Sequence, residues 1–281
     1  MSYEEVKRVN YKGELWTLQK PHPALADFLS AKDLLIVLRH GEPPFKVVLG
    51  VPHQAAVGEE RICENRITGG NLDPRNSDEN AASYALVAFT TLRDRNVPCK
   101  LVIMAHATTH DPNKELESPY CKEVFADEAA LLFECHGAGP RRLRSLELSA
   151  GKNRLADTVR FGRALAAAVE YRYTLGVQKE ACKKSALIFG TDGVEIENGE
   201  VLERPALQTT SLVEAENQGM PALHLEAKPA FRKPADGSNT VTPDGLVLGR
   251  AIAQAIILHL SESPDDLESS GDFAAAKTKV D

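Results

Sequence analysis

At 281 residues with 43% hydrophobic side chains, the chain can bury a substantial core, either as one large α/β domain or as two small ones. Its net charge of −7 disfavours a nucleic-acid-binding surface, which needs clustered lysine and arginine, and points to a small-molecule partner. Cys63, Cys99, Cys121, Cys135 and Cys182 form no CxxC pair, so neither a disulfide framework nor a zinc ribbon is indicated, and a reducing cytoplasm is expected. No basic-then-apolar leader is visible and no apolar run approaches the ~20 residues of a membrane span, so the chain is expected to be neither exported nor anchored.

The pattern divides the chain into an N-terminal segment (1–30), a single α/β domain (31–262) and a polar, aperiodic tail (263–281) expected to be disordered. β-Branched runs at 34–39 and 46–51, separated by Gly41-Glu42-Pro43-Pro44, predict a hairpin or tight strand connection. Helical spacing of apolar residues follows over 79–95, with Ser77 or Asp78 available as N-cap. A strand is predicted at 99–105, a helix at 155–171, a strand at 185–190 and a long apolar helix at 245–260. Strands alternating with helices predict an α/β fold: a mixed, largely parallel central sheet flanked by helices, with ligands collecting beyond the carboxyl ends of its strands.

Three apolar runs end in metal-preferring side chains: Val51-Pro52-His53, Glu134-Cys135-His136-Gly137 and Leu223-His224-Leu225-Glu226. Imidazoles at the tips of buried strands are rigid and partly dehydrated, as a zinc site requires, and Glu226 on a third strand is placed to act as base toward a metal-bound water. Taken singly, each has a plainer reading. His53 and His136 would be hydrogen-bonded strand-end residues, and Glu226 a salt-bridge partner of Lys228. A further segment, Thr109-His110-Asp111-Pro112-Asn113-Lys114, sets a cation beside an amide and is suited to hold a substrate carboxylate, unless it is simply a solvated turn.

Pro52-His53, Ser77-Asp78-Glu79, Asp111-Pro112-Asn113-Lys114, Cys135-His136-Gly137 and Leu225-Glu226-Ala227-Lys228 occur in that order. The order resembles the N-formylglutamate amidohydrolase family. Its members combine a strand-end Pro-His, an acidic residue opening the next helix, an Asp-x-Asn-Arg turn, a later strand ending in His and a C-terminal Glu-x-Arg strand. The resemblance covers residues 45–260. It implies a zinc-carboxypeptidase-like fold and a single Zn2+ ion held by His53, His136 and either Asp78 or Glu79, with Glu226 as general base. It further implies that Asp111, Asn113, Lys114 and Lys228 bind a small carboxylate substrate and that an amide bond is cleaved. Where the family has arginine this chain has Lys114 and Lys228, a point charge in place of a bidentate fork, so the natural substrate need not be formylglutamate. Arg232, Arg141 and Arg142 are candidates for the missing guanidinium.

The sequence also admits two rival readings. Leu38-Arg39-His40-Gly41-Glu42 resembles the phosphate-binding signature of the histidine phosphatase superfamily, with His40 as the phosphorylated residue and His136 as its second histidine. The chain is alternatively a ligand-binding relative that retains the pocket without catalysis.

Overall fold

A computed structural model describes residues 34–59, 77–105, 111–139, 146–149 and 209–261, the short strands at 7–10, 16–17, 20–21, 62–66, 72–76 and 188–190, and the helical positions Phe161, Ala164, Leu165 and Ala168. The expected tail at 263–281, most of the helix at 155–171, and His110, Arg141 and Arg142 lie outside the described residues.

Along the chain run β1 (Lys7–Asn10), β2 (Trp16–Thr17), β3 (Lys20–Pro21), β4 (Leu34–His40), β5 (Val47–Ala55), β6 (Ile62–Arg66), β7 (Leu72–Asn76), β8 (Asp78–Glu79), α1 (Ala82–Asp94) and β9 (Cys99–Ala105). There follow α2 (Pro119–Val124), β10 (Leu132–Gly137), β11 (Leu146–Ser149), β12 (Ile188–Gly190), α3 (Thr210–Asn217), β13 (Ala222–Ala227) and α4 (Pro243–Ser261). Nine of the strands form one sheet in the order β1-β4-β9-β5-β10-β13-β11-β12, with β8 paired to the end of β5. β9, β5, β10 and β13 are mutually parallel, while β4 and β11 run antiparallel to this centre. The architecture is therefore α/β with a mixed, largely parallel sheet. β5 and β9 are buried at every position, which is why they read as unbroken apolar runs without alternation.

Helices cover both faces. On one, α1 and α4 enclose Val47, Leu49, Val51, Phe133, Leu223 and Leu225. On the other, α2 and α3 pack over Val48, Val102, Leu132 and Ala222. Cys99, Cys121 and Cys135 are buried free thiols.

Three sequence expectations are corrected. β4 and β5 form no hairpin, because β9 lies between them, antiparallel to one and parallel to the other. A run apolar on both faces needs partners on both edges and cannot announce which ones. The helix predicted from residue 79 begins at Ala82, and neither Ser77 nor Asp78 caps it. Residues 78–79 pair with β5, and the Ala82 amide donates instead to Gln54 Oε1 at 2.8 Å. Finally, α4 has 19 residues and is long and apolar enough to cross a membrane by length and composition. Half of that stretch is buried inside the protein, where Leu248, Ala251, Ile252 and Ile256 join the core.

Candidate metal centre

On the face covered by α2 and α3, strand register sorts side chains into rows. Val48, Leu132 and Ala222 form an apolar row, Gly50, Glu134 and His224 the next, and His136 and Glu226 the last, toward the carboxyl ends. Polar pairs two apart on β10 and β13 therefore stack one above the other, with Cys135 and Leu225 turned to the opposite core.

Strict alternation from Gly50 would aim His53 at that opposite face. The pairing of β5 with β9 slips instead: Val51 matches Ile103 and Gln54 matches Ala105, so Pro52 and His53 together face only Met104. This one-residue bulge re-aims the strand tip and brings the His53 ring to 5.2 Å from that of His136. β8 supplies the third group. Asp78 Oδ2 lies 3.0 Å from Nδ1 of His136 and 3.4 Å from Nδ1 of His53. One donor atom from each of His53, Asp78 and His136 falls within 4.8 Å of the others, and all three residues are buried.

The remaining imidazole nitrogens meet further carboxylates. His53 Nε2 is 2.7 Å from Asp111 Oδ1, and His136 Nε2 is 3.6 Å from Glu134 Oε2. Glu134, fully buried, accepts from the Tyr120 hydroxyl at 2.8 Å and from Asn113 Nδ2 at 3.3 Å. Gly50 makes room for that hydroxyl, since a Cβ there would overlap it. The Tyr84 hydroxyl donates to the His136 carbonyl at 2.8 Å and pins the strand end.

Burial alone would lower both imidazole pKa values, but the carboxylates prevail and raise His53 to about 9 and His136 to about 10. Burial would raise Asp111, yet the charge and hydrogen bond of His53, with Lys114, hold it at about 2. Asp78 and Glu134 are likewise held far below the usual carboxylate range by their imidazole neighbours, against their burial. Burial pushes Glu226 up, but the hydrogen bond and charge of His224 leave it below its ordinary value. Each ring thus exchanges a proton for any cation it binds.

The donor set fits a metal ion. Two imidazoles and one carboxylate converge, both free ring nitrogens are oriented by acids, and Asp78, Asp111, Glu134 and Glu226 give a local surplus of negative charge. A second group, Glu134, His136 and His224, is equally compact. Its two rings, however, stack at 3.9 Å and 24°, so their in-plane lone pairs run nearly side by side and do not converge on one ion.

Other residues singled out in the sequence are placed as follows. Glu79 points away from the imidazoles, accepting from Lys233 Nζ at 2.6 Å and the Gly58 amide at 2.7 Å. Asp111 lies beneath His53 and orients it, and the Asn113 amide donor is turned inward to Glu134 and His136. Arg232 is not available to a substrate carboxylate. The residue is 5% exposed, its guanidinium donates to the carbonyls of Ala227, Glu79 and Ala138 at 2.6–3.1 Å, and Gly137 lacks a side chain where that guanidinium crosses. Lys114 and Lys228 are half-buried. His40 is paired with Cys99 at the opposite end of the sheet, 3.3 Å from Asn96 Oδ1, and does not meet His136. The length of a strand separates the two residues that a phosphohistidine mechanism would need together.

The strand-end pattern by itself assigns Glu134 and His224 no role, although the alternation Glu-Cys-His and His-Leu-Glu carries the signal: each places two polar groups on one face of an otherwise apolar strand.

No protein-family model matches the chain, and no curated protein sequence does. Among solved structures it is similar to a metallo-carboxypeptidase from Burkholderia cenocepacia, with 14% identity over 80% of this chain and a TM-score of 0.46. The chain spans 60% of that carboxypeptidase. It is also similar to an N-acetylmuramyl-L-alanine amidase from Mycobacterium smegmatis (12% identity, TM-score 0.41, 76% of this chain and 96% of that one). A third is an N-formylglutamate amidohydrolase from Ralstonia eutropha JMP134 (10% identity, TM-score 0.42, 80% and 97%).

Proposed function

We propose that this chain is a zinc-dependent amidohydrolase that cleaves the amide bond of a small N-acyl amino acid or related carboxylate, with His53, Asp78 and His136 holding one ion. The observation that carries this reading is the convergence of those three side chains on the carboxyl ends of parallel strands, with Glu226 directly beside His136 on the neighbouring strand.

When bound, zinc supplies a Lewis acid that polarises the amide carbonyl and acidifies a water. The protein's own groups do the rest. Asp111 and Glu134 hold the Nε2 side of the two imidazoles, leaving both Nδ1 atoms turned toward Asp78, where His53, Asp78 and His136 would hold the ion. Glu226, held ionised by His224, takes the proton of the attacking water and returns it to the leaving nitrogen. Lys114 and Lys228 anchor the substrate carboxylate and so convert recognition into orientation.

The test is metal analysis of the purified chain followed by a screen of N-formyl and N-acetyl amino acids for chelator-sensitive release of amine. Glu226→Gln is expected to abolish turnover while leaving about one metal ion per chain. Metal binding without hydrolysis of any N-acyl amino acid would make the chain a binding protein instead.

A further inference from the structure

Taking Glu226 as the base, we propose that His224 is its positioning residue, fixing which carboxylate oxygen is presented to water. The two residues lie two apart on β13, so the stiff strand holds them on one face, and His224 Nε2 is 3.1 Å from Glu226 Oε1. With Oε1 engaged, the other oxygen is the one left to accept the proton.

The imidazole is itself immobilised. Its face stacks on His136 at 3.9 Å. Its Nδ1 faces Glu134, 3.9 Å from Oε2, and Glu134 is anchored in turn by the Tyr120 hydroxyl. His224 is 8% exposed, yet its Nδ1 is buried without a hydrogen-bond partner among the described residues. A histidine retained only for packing would not need each ring nitrogen turned to a carboxylate, Nε2 to Glu226 and Nδ1 toward Glu134. The ring's placement is explained by three contacts: the carboxylate of the base, the Glu134 carboxylate and the face of His136. Lys228, the partner that sequence alone offered Glu226, does not take this role.

The experiment compares His224→Gln, His224→Asn and His224→Leu in the full chain, reading kcat, KM, metal content and thermal unfolding, with Glu226→Gln as reference. The amide nitrogen of glutamine reaches where Nε2 stands, whereas that of asparagine reaches only Nδ1. His224→Asn and His224→Leu are expected to lose about 10–100-fold in kcat with KM and metal content unchanged, and His224→Gln to restore most of the rate. Equal rates for His224→Gln and His224→Asn would overturn the proposal, because a packing role does not distinguish them. Loss of metal from His224→Gln and His224→Leu would overturn it also, by making His224 a ligand with Glu134 through the Nδ1 that faces it. If Glu226→Gln still turns over, the base assignment itself fails. If Glu226→Gln is dead and His224→Asn is normal, only the role of His224 falls.

Discussion

Gly50 offers the sharpest test of how the centre is built. In Gly50→Ala the new Cβ would clash with the Tyr120 hydroxyl, with Tyr120 Cζ at 3.2 Å and Glu134 Cγ at 3.3 Å. β5 is paired on both sides, so its backbone cannot withdraw, and the tyrosine must swing away and abandon its 2.8 Å bond to Glu134. Overpacking costs about 1–3 kcal/mol, and losing a hydrogen bond to a buried charge about 1.5–3 kcal/mol, so the variant should lose about 3–5 kcal/mol. Tyr120→Phe removes only the bond and should cost about 1.5–3 kcal/mol. In the double variant the hydroxyl is already gone and the Cβ meets only atoms beyond 3 Å, so the two costs should fall short of their sum by about 2 kcal/mol. Urea unfolding of the four proteins in chelator measures this cycle directly. Additivity within about 0.5 kcal/mol would show that Gly50 and Tyr120 do not compete for the space beside Glu134.

Asp78→Asn should empty the metal site while Glu79→Gln leaves it occupied, as read by elemental analysis, since only Asp78 faces both Nδ1 atoms. The reverse result would move the ligand to Glu79. At the far end of the sheet, the fully buried Lys100 donates to Asp127 at 2.9 Å, and that hydrogen bond is the main cause holding Asp127 below its ordinary 3.8. A depressed carboxylate contributes stability above its ordinary pKa and loses it as the pH falls through the folded value. The stability gap between the native chain and Asp127→Asn should therefore narrow below about pH 4, and a gap unchanged from about pH 6 to about pH 3 would contradict it.

Much of the fold was legible because β5, β9 and β10 are apolar enough to declare themselves, and α4 is long and periodic. Their neighbours were not legible, because parallel pairing joins residues far apart and a strand buried on both faces has no alternation to specify an edge. His53 and His136 were readable as strand-end imidazoles, but alternation alone would have turned His53 to the wrong face. Only the bulge at Pro52 and His53 brings the two rings together, and a bulge depends on what β9 does opposite. Asp78 resembled a helix cap because Asp before a helical run usually is one. Here Gln54 reaches across and satisfies the helix amide, which frees the acid for the centre. Arg232 looked like a substrate clamp by composition; its path back under β10 is purely tertiary.

The energetics of the centre also argue for a function. Asp78, Asp111 and Glu134 are buried together with His53, His136 and His224, and ionised groups removed from water are tolerated only when paired. Every one of these carboxylates has an imidazole within 4 Å, so the cluster persists by mutual compensation. A hydrophobic arrangement of similar volume would commonly be as stable or more so. The surrounding rows show that such an arrangement was structurally open: Val48, Leu132 and Ala222 fill the preceding row with apolar side chains on the same three strands. The change from apolar to ionisable occurs in a single step along the strands, and it occurs only toward the ends where the bulge and β8 deliver His53 and Asp78. Polar groups that fold stability alone would not place there are concentrated where two further elements converge on them, as expected if the strands were shaped around a cation and a base.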